Sequence, residues 1–159
     1  MAIAVWANFG PTIVRIVEAS YPLHVNMRVG TVMSIFGTAT GRAFAAVLPR
    51  RKLEEVPGVG VLSETARLDG QPVGDLDAAL AEVRAEVAAH GVTRALGRPI
   101  PGVNAFSAAA FDHEGAPRLV ITSLGHEGWF SADWDSPIAK EVRAAAAEVS
   151  RRLGYRREA

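Results

Sequence analysis

"PGVNAFSAAAFDHEGAPRLVITSLG", residues 101–125, is the stretch on which the fold turns. Alanine in the run "FSAAAF" (106–111) favours helix. The run is short, however, and bracketed by turn signals: Pro101-Gly102 before it and Asp112-His113-Glu114-Gly115 after it. Those flanks select strand. The expectation is a hairpin with strands near 103–111 and 118–124. Alternation then puts Val103, Ala105, Ser107 and Ala109 on one face. In the second strand Val120, Thr122 and Leu124 share a face, and Leu119, Ile121 and Ser123 take the other.

The same pattern recurs at the start of the chain. "AIAVWANFGPTIVRIVEA" (2–19) places strand formers on either side of the turn cluster Asn8-Phe9-Gly10-Pro11, which predicts another hairpin. Strand signal begins at residue 2 with no leader, and so abrupt an edge suggests that something upstream is missing. "PLHVNMRVG" (22–30) reads as a third extended segment, leading into a loop from Gly30 to Gly37. A helix is expected from about Thr40 to Leu48, stopped by Pro49. The stretch 50–74 reads as loop with one helical turn.

"DLDAALAEVRAEVAAHG" (75–91) is the clearest helix, with Asp75 as cap, Leu76, Leu80, Val83 and Val87 in phase, and Gly91 as left-handed stop. After it comes a strand or a loop, and then the hairpin. A last helix begins with Ser136 and Pro137 and carries Ile138, Val142, Ala145, Val149 and Leu153 on one stripe. Strands gathered in hairpins predict an α+β fold with an antiparallel sheet, not a doubly wound one.

Composition narrows the function. The 159 residues suit one domain. Lys+Arg and Asp+Glu both number 17, so the basic surplus of a free-standing nucleic-acid binder is missing. There are no cysteines for disulfides, thiolate metal sites or nucleophiles. No apolar run reaches the roughly 18 residues of a membrane span, and no signal peptide opens the chain. A cytoplasmic protein is expected.

Catalysis is poorly supplied. Asp112, His113 and Glu114 occupy a turn, where solvated polar side chains are the norm. His24, His90 and His126 have no metal-ligand spacing. Ser123 lacks the strand–turn–helix setting of a nucleophile elbow. Trp129, Phe130 and Trp134 read as a clamp for the loop before the last helix. No catalytic residue, metal or cofactor is expected.

"SIFGTATGRAFAAVLP" (34–49) offers more. Thr38 or Thr40 can cap the helix, and the free N–H groups of a helix start also suit a carboxylate. Gly37, Ala39 and Gly41 keep side chains out of the way, and Arg42 could add a cation. The Ala/Ser face of the late hairpin leaves space that a helix or a small molecule must fill. On the residues alone, capping and helix packing remain open beside a pocket.

Four stretches together resemble the C-terminal effector-binding domain of IclR-family bacterial transcriptional regulators: "AVWANFGPTIVRIVEA", "LHVNMRVGTVMSIFGTATGRAFAA", "PGVNAFSAAAFDHEGAPRLVITSLG" and "AKEVRAAAAEVSRRLGY". "GTATGRAFAA" looks like that family's small-residue loop running into a helix. The resemblance implies a GAF-like domain, a curved antiparallel sheet flanked by helices, with dimer or tetramer contacts. It also implies a small effector, an organic acid or aromatic catabolite. By that resemblance the ligand contacts are Ala39 and Thr40, with Thr38 and Gly41 at the same helix start, Val103 and Ala105 on one strand, and Thr122 and Leu124 on the next. One departure is "VTRALGRPIPG", which carries Arg94 and Arg98 where family members often carry acids. Apolar Leu124 and Ala105 point to a more apolar or aromatic effector, or to a weakened site. The resemblance implies further that a winged helix-turn-helix domain, its linker and the first helix of this domain are missing. DNA would then be bound only through that missing part. The competing expectation is an oligomerisation domain whose pocket has closed.

Overall fold

The computed structural model describes residues 1–20, 23, 25–57, 67, 68, 71, 72 and 75–156. In chain order the elements are β1 (Ala2–Ala7), β2 (Gly10–Ile16), α1 (Ala39–Val47), α2 (Arg50–Glu54), β3 (Arg67–Leu68), β4 (Gln71–Pro72), α3 (Leu76–His90), β5 (Thr93–Leu96), β6 (Val103–Phe111), β7 (Pro117–His126) and α4 (Pro137–Arg152). Both expected hairpins form. They join because β1 pairs with β2 on one side and with β7 on the other, with Ala2 opposite Ile16 and Thr122. The resulting antiparallel sheet has the order β2-β1-β7-β6-β5. Register shifts at Ile3/Ala4 and Ala110/Phe111 add local bend and twist. The architecture is the α+β, GAF-like one expected. Among the described residues no helix is long and apolar enough to cross a membrane.

Strand alternation divides the core in two. On one face Ala4, Ile13 and Val120 pack with Phe36, Phe44, Leu80 and Val83, which places α1 and α3 there. On the other, Phe106, Ala108 and Ile121 pack with Ala139, Val142 and Ala146 of α4. The late hairpin is the wall between them. Its Ala105, Ser107 and Ala109 stand opposite Leu124, Thr122 and Val120 and share the α1 face.

Several expectations need correction. The first turn is tighter than expected, with Asn8-Phe9 between the strands and Gly10 already paired with Ala7. No strand is present at the described residues of 22–30, and Pro22 and His24 lie outside them. Instead the following loop straps the edge of β2 through isolated bonds: Gly30 N donates to Ile13 O (2.7 Å), Ile13 N to Thr31 O (2.9 Å) and Met33 N to Pro11 O (2.7 Å). Pro11 has no N–H to return, so the contact cannot grow into a regular ladder. In 50–74 the expected helical turn is α2, followed by the unforeseen two-residue ladder of β3 and β4; the remainder lies outside the described residues. The strand-or-loop segment is the edge strand β5, with Thr93 opposite Ser107.

The buried line of α4 is Ala139, Val142, Ala146 and Ser150. Of the expected stripe Val142 lies on this line, Ile138, Ala145 and Val149 flank it half-buried, and Leu153 is 39% exposed. Phe106, Ile121 and Phe130 already fill that side, so only slender residues fit on the line of closest approach. The Asp112 turn is also not simply solvated. Asp112 is buried and accepts from Glu114 N (2.9 Å), Ala116 N (3.0 Å) and the Arg118 guanidinium. Burial pushes its carboxyl up, but the Ala116 N–H, Arg118 and the Glu114 N–H outweigh it and hold the pKa below the ordinary aspartate value.

Candidate functional site

The start of α1 lies over the α1 face of the late hairpin, and slender side chains on both sides allow a close approach. Thr38 is the cap: its Oγ1 accepts from Gly41 N (3.0 Å) and donates to Ser34 O (2.7 Å). Thr40 reaches the sheet instead, with its Oγ1 2.7 Å from Thr122 Oγ1. Thr122 Oγ1 is in turn 2.6 Å from Ser107 Oγ. From β5, Thr93 Oγ1 donates to Ala39 O at 2.7 Å. All four of these sheet-linking hydroxyl residues are buried.

Counting protons shows what this network leaves over. Thr40, Thr122 and Ser107 own three hydroxyl hydrogens, one each, and share two contacts. One O–H therefore stays uncommitted whichever way the chain of bonds runs. Two of those three residues, Thr40 and Thr122, line a cavity of about 50 Å³. Seven of the eight residues expected at the site line it: Thr38, Ala39, Thr40, Val103, Ala105, Thr122 and Leu124. Gly41 does not. A Cβ there would lie 2.0 Å from Ser34 O and 2.4 Å from Ile35 O, so glycine serves the packing of α1 beneath the preceding loop.

Arg42 is likewise turned elsewhere. Its guanidinium pairs with Glu82 at 3.1 Å and with Glu86, joining α1 to α3. Glu86 also accepts from Arg94 N at 2.8 Å. The cation at the cavity is Arg98, with Pro99 and Ile100 on the same loop and Met27 and Met33 on the strap. Sequence alternation could not find these lining residues, since none of them sits on a paired strand. The hydroxyl link was half visible, because Ser107 and Thr122 each follow the period of their own strand.

A larger groove of about 430 Å³ lies beyond Leu124 and is lined also by Leu23, His126, Trp129 and Ile138. Leu124 belongs to the walls of both spaces. The aromatic clamp is formed by two of its three expected members. Phe130 is buried against Phe106, with centroids 5.7 Å apart. Trp134 stacks on His90 at 4.0 Å and lies under the Arg94 guanidinium, also at 4.0 Å. Trp129 is 84% exposed. His24 is outside the described residues. Among the described residues no three His, Asp or Glu side chains gather closely enough to hold a metal ion.

The family model "Bacterial transcriptional regulator IclR C-terminal" matches residues 5–151. Among solved structures the chain is similar to Pseudomonas aeruginosa HmgR, at 32% identity and a TM-score of 0.80, covering 97% of this chain and 59% of that one. It shares the fold of Thermotoga maritima IclR, at 19% identity and a TM-score of 0.79, covering 97% of this chain and 61% of that one. It also shares the fold of a double mutant of the inducer-binding domain of the Acinetobacter transcription factor PobR, in complex with 3-hydroxybenzoic acid. There the identity is 17% and the TM-score 0.72, covering 94% of this chain and 86% of that one. The chain thus spans about six tenths of the length of the first two. No curated protein matches it. With the family model covering nearly all of its length, the chain belongs to the IclR C-terminal family of bacterial transcriptional regulators.

Proposed function

We propose that this chain is a sensor for a small organic acid or aromatic metabolite, bound where α1 meets β6 and β7, and not an enzyme. The observation that carries the reading is the cavity bounded by Thr40 and Thr122, apolar but for its hydroxyls and one arginine. A space of that character, with few polar groups converging on it, is what a small-molecule site requires. When Ser107 donates to Thr122, the uncommitted O–H lies on Thr122 or Thr40 and offers an oxygen of the ligand a donor. Ala39, Val103, Ala105 and Leu124 supply apolar burial, and the 3-hydroxybenzoic acid bound by the PobR domain is a compound of the expected class. The whole 159-residue chain is read as one effector-binding domain. Occupancy would act through dimer or tetramer contacts of the domain, because a ligand shifts only an equilibrium between states it binds unequally. In a longer protein carrying a DNA-binding domain, that shift would alter operator affinity.

The competing reading is an oligomerisation module with a closed pocket. The volume favours it: about 50 Å³ is smaller than the roughly 150 Å³ cavity known to admit benzene. Calorimetric titration with benzoate separates the two, using wild type and Ala105→Leu, which fills the cavity from the sheet side. The sensor reading requires heat from wild type and its loss in a variant that still melts cooperatively. Silence from wild type, or equal binding by both, would favour the closed module.

A further inference from the structure

At about 50 Å³ the cavity is smaller than the roughly 150 Å³ that admits benzene, so on the sensor reading α1 must stand farther from the sheet when a ligand is bound. From the inside, the first turn of α1 is held down by Thr40 on Thr122 and by Thr93 of β5 on the Ala39 carbonyl. From the outside it is held by Arg42, which faces α3 and not the cavity.

The outer fastening is incompletely satisfied. A single nitrogen, Arg42 Nη2, donates to two carboxylates: Glu86, and Glu82 at 3.1 Å. Arg42 Nε is buried and has no acceptor among the described residues. A guanidinium settled on one carboxylate uses its planar fork for two parallel bonds. A buried donor left unmade is costly, so a second position of the guanidinium can compete with the one observed.

The two carboxylates differ in what they hold. The Glu86 side chain is 13% exposed and that of Glu82 is 65% exposed. Glu86 also accepts from Arg94 N at 2.8 Å, on the outer side of β5, the last strand of the sheet. Glu86 therefore ties α1 to β5, and β5 contributes Ala95 to the cavity wall. Glu82 sits four residues back along α3, about 6 Å along the axis, away from the Gly91 turn that leads into β5.

We infer that Arg42 is a two-position clasp, seated on Glu86 while the cavity is closed and moved one helical turn to Glu82 when α1 lifts for a ligand. The cation is compensated in both positions, so the step is discrete, as when one packed element moves a turn past another. Occupancy is thereby transmitted to α3, which adds no residue to the described lining of the cavity. The inference rests on the sensor reading and adds to it the route by which the site is regulated.

The test compares wild type, Glu86→Gln and Glu82→Gln, each confirmed as folded by a cooperative melt. Glu86→Gln keeps an acceptor for Arg94 N and removes the charge that seats Arg42, whereas Glu82→Gln removes the second position. In calorimetric titration with benzoate, Glu86→Gln should bind more tightly and Glu82→Gln more weakly, each by about fivefold, the low end of coupling between sites. A merely structural ion pair would move both affinities in one direction or neither. Without ligand, nitrogen relaxation dispersion at Arg42 Nε should show microsecond-to-millisecond exchange in wild type and a flat profile in Glu82→Gln. A flat wild-type profile, or affinities unchanged or shifted in the same direction, overturns the clasp, while benzoate binding by wild type leaves the sensor reading standing. If none of the three proteins binds benzoate, the sensor reading fails and the regulatory role of the clasp fails with it.

Discussion

The hydroxyls of Thr40 and Thr122, 82 residues apart in the chain, lie 2.7 Å from one another in the interior. This bond fastens the first turn of α1 to the middle of the sheet, and Ser107 extends it at 2.6 Å. Replacing Thr122 with valine keeps the shape and strands two buried hydroxyls. The expected cost is about 1–3 kcal/mol, read from the urea midpoint. Thr122→Ser, which keeps the hydroxyl and deletes a methyl, should cost about 1 kcal/mol. A serine variant weaker than the valine one would deny the bond a structural role.

Gly41 should reverse an ordinary rule. In an exposed helix interior, alanine for glycine gains about 1 kcal/mol. Here the new Cβ would sit 2.0 Å from Ser34 O, and backbone cannot yield as a flexible side chain does. Gly41→Ala should instead lose about 1–3 kcal/mol in denaturant melts, as overpacked cores do. A stabilised variant would mean that the loop over α1 is free to lift.

Asp112 sets an acid-side prediction. Its folded pKa lies below the ordinary value, through the Ala116 N–H, Arg118 and the Glu114 N–H acting against burial. A group depressed on folding stabilises the protein above its unfolded pKa of about 3.9 and loses that contribution as pH falls through the folded value. The stability gap between wild type and Asp112→Asn should therefore be full near neutrality and narrow below about pH 4. A gap independent of pH across that range would remove the carboxylate from the account.

Leu124 stands between a space of about 50 Å³ and one of about 430 Å³. Leu124→Ala should join them at a cost of about 2 kcal/mol, the lower end for leucine because the residue is only half-buried. Affinity for 3-phenylpropionate should rise relative to benzoate, because the longer acid can reach the groove. An unchanged ratio in competition titrations would show that the wall does not set ligand size.

The fold was legible wherever a local rule and the tertiary outcome agreed. Thr38, Asp75 and Ser136 cap the helices they precede, and Gly91 stops α3 at a φ of +69°. The alternation of Ala105 and Ser107 with Phe106 and Ala108 divides the two cores, as a period of two demands. Long-range geometry was not legible. The 22–30 segment reads as extended on its own residues, but the edge of β2 is taken by Gly30, Thr31 and Met33 of the following loop, and Pro11 has no N–H to extend that contact into a ladder. The partners of Arg42 lie 40 and 44 residues away on α3, so its proximity to the helix start misdirected it toward the pocket. Arg98 was visible as an oddity of charge, but only the return of its loop over β6 brings it to the cavity.

The central claim, that the space between α1 and the late hairpin receives a ligand, is tested most directly by amide chemical-shift mapping of the labelled chain during titration with benzoate. The account predicts that saturable shifts concentrate at Ala39, Thr40, Ala105, Thr122 and Leu124. Shifts confined to the Trp129 and Ile138 groove, or a spectrum that benzoate leaves untouched, would contradict it.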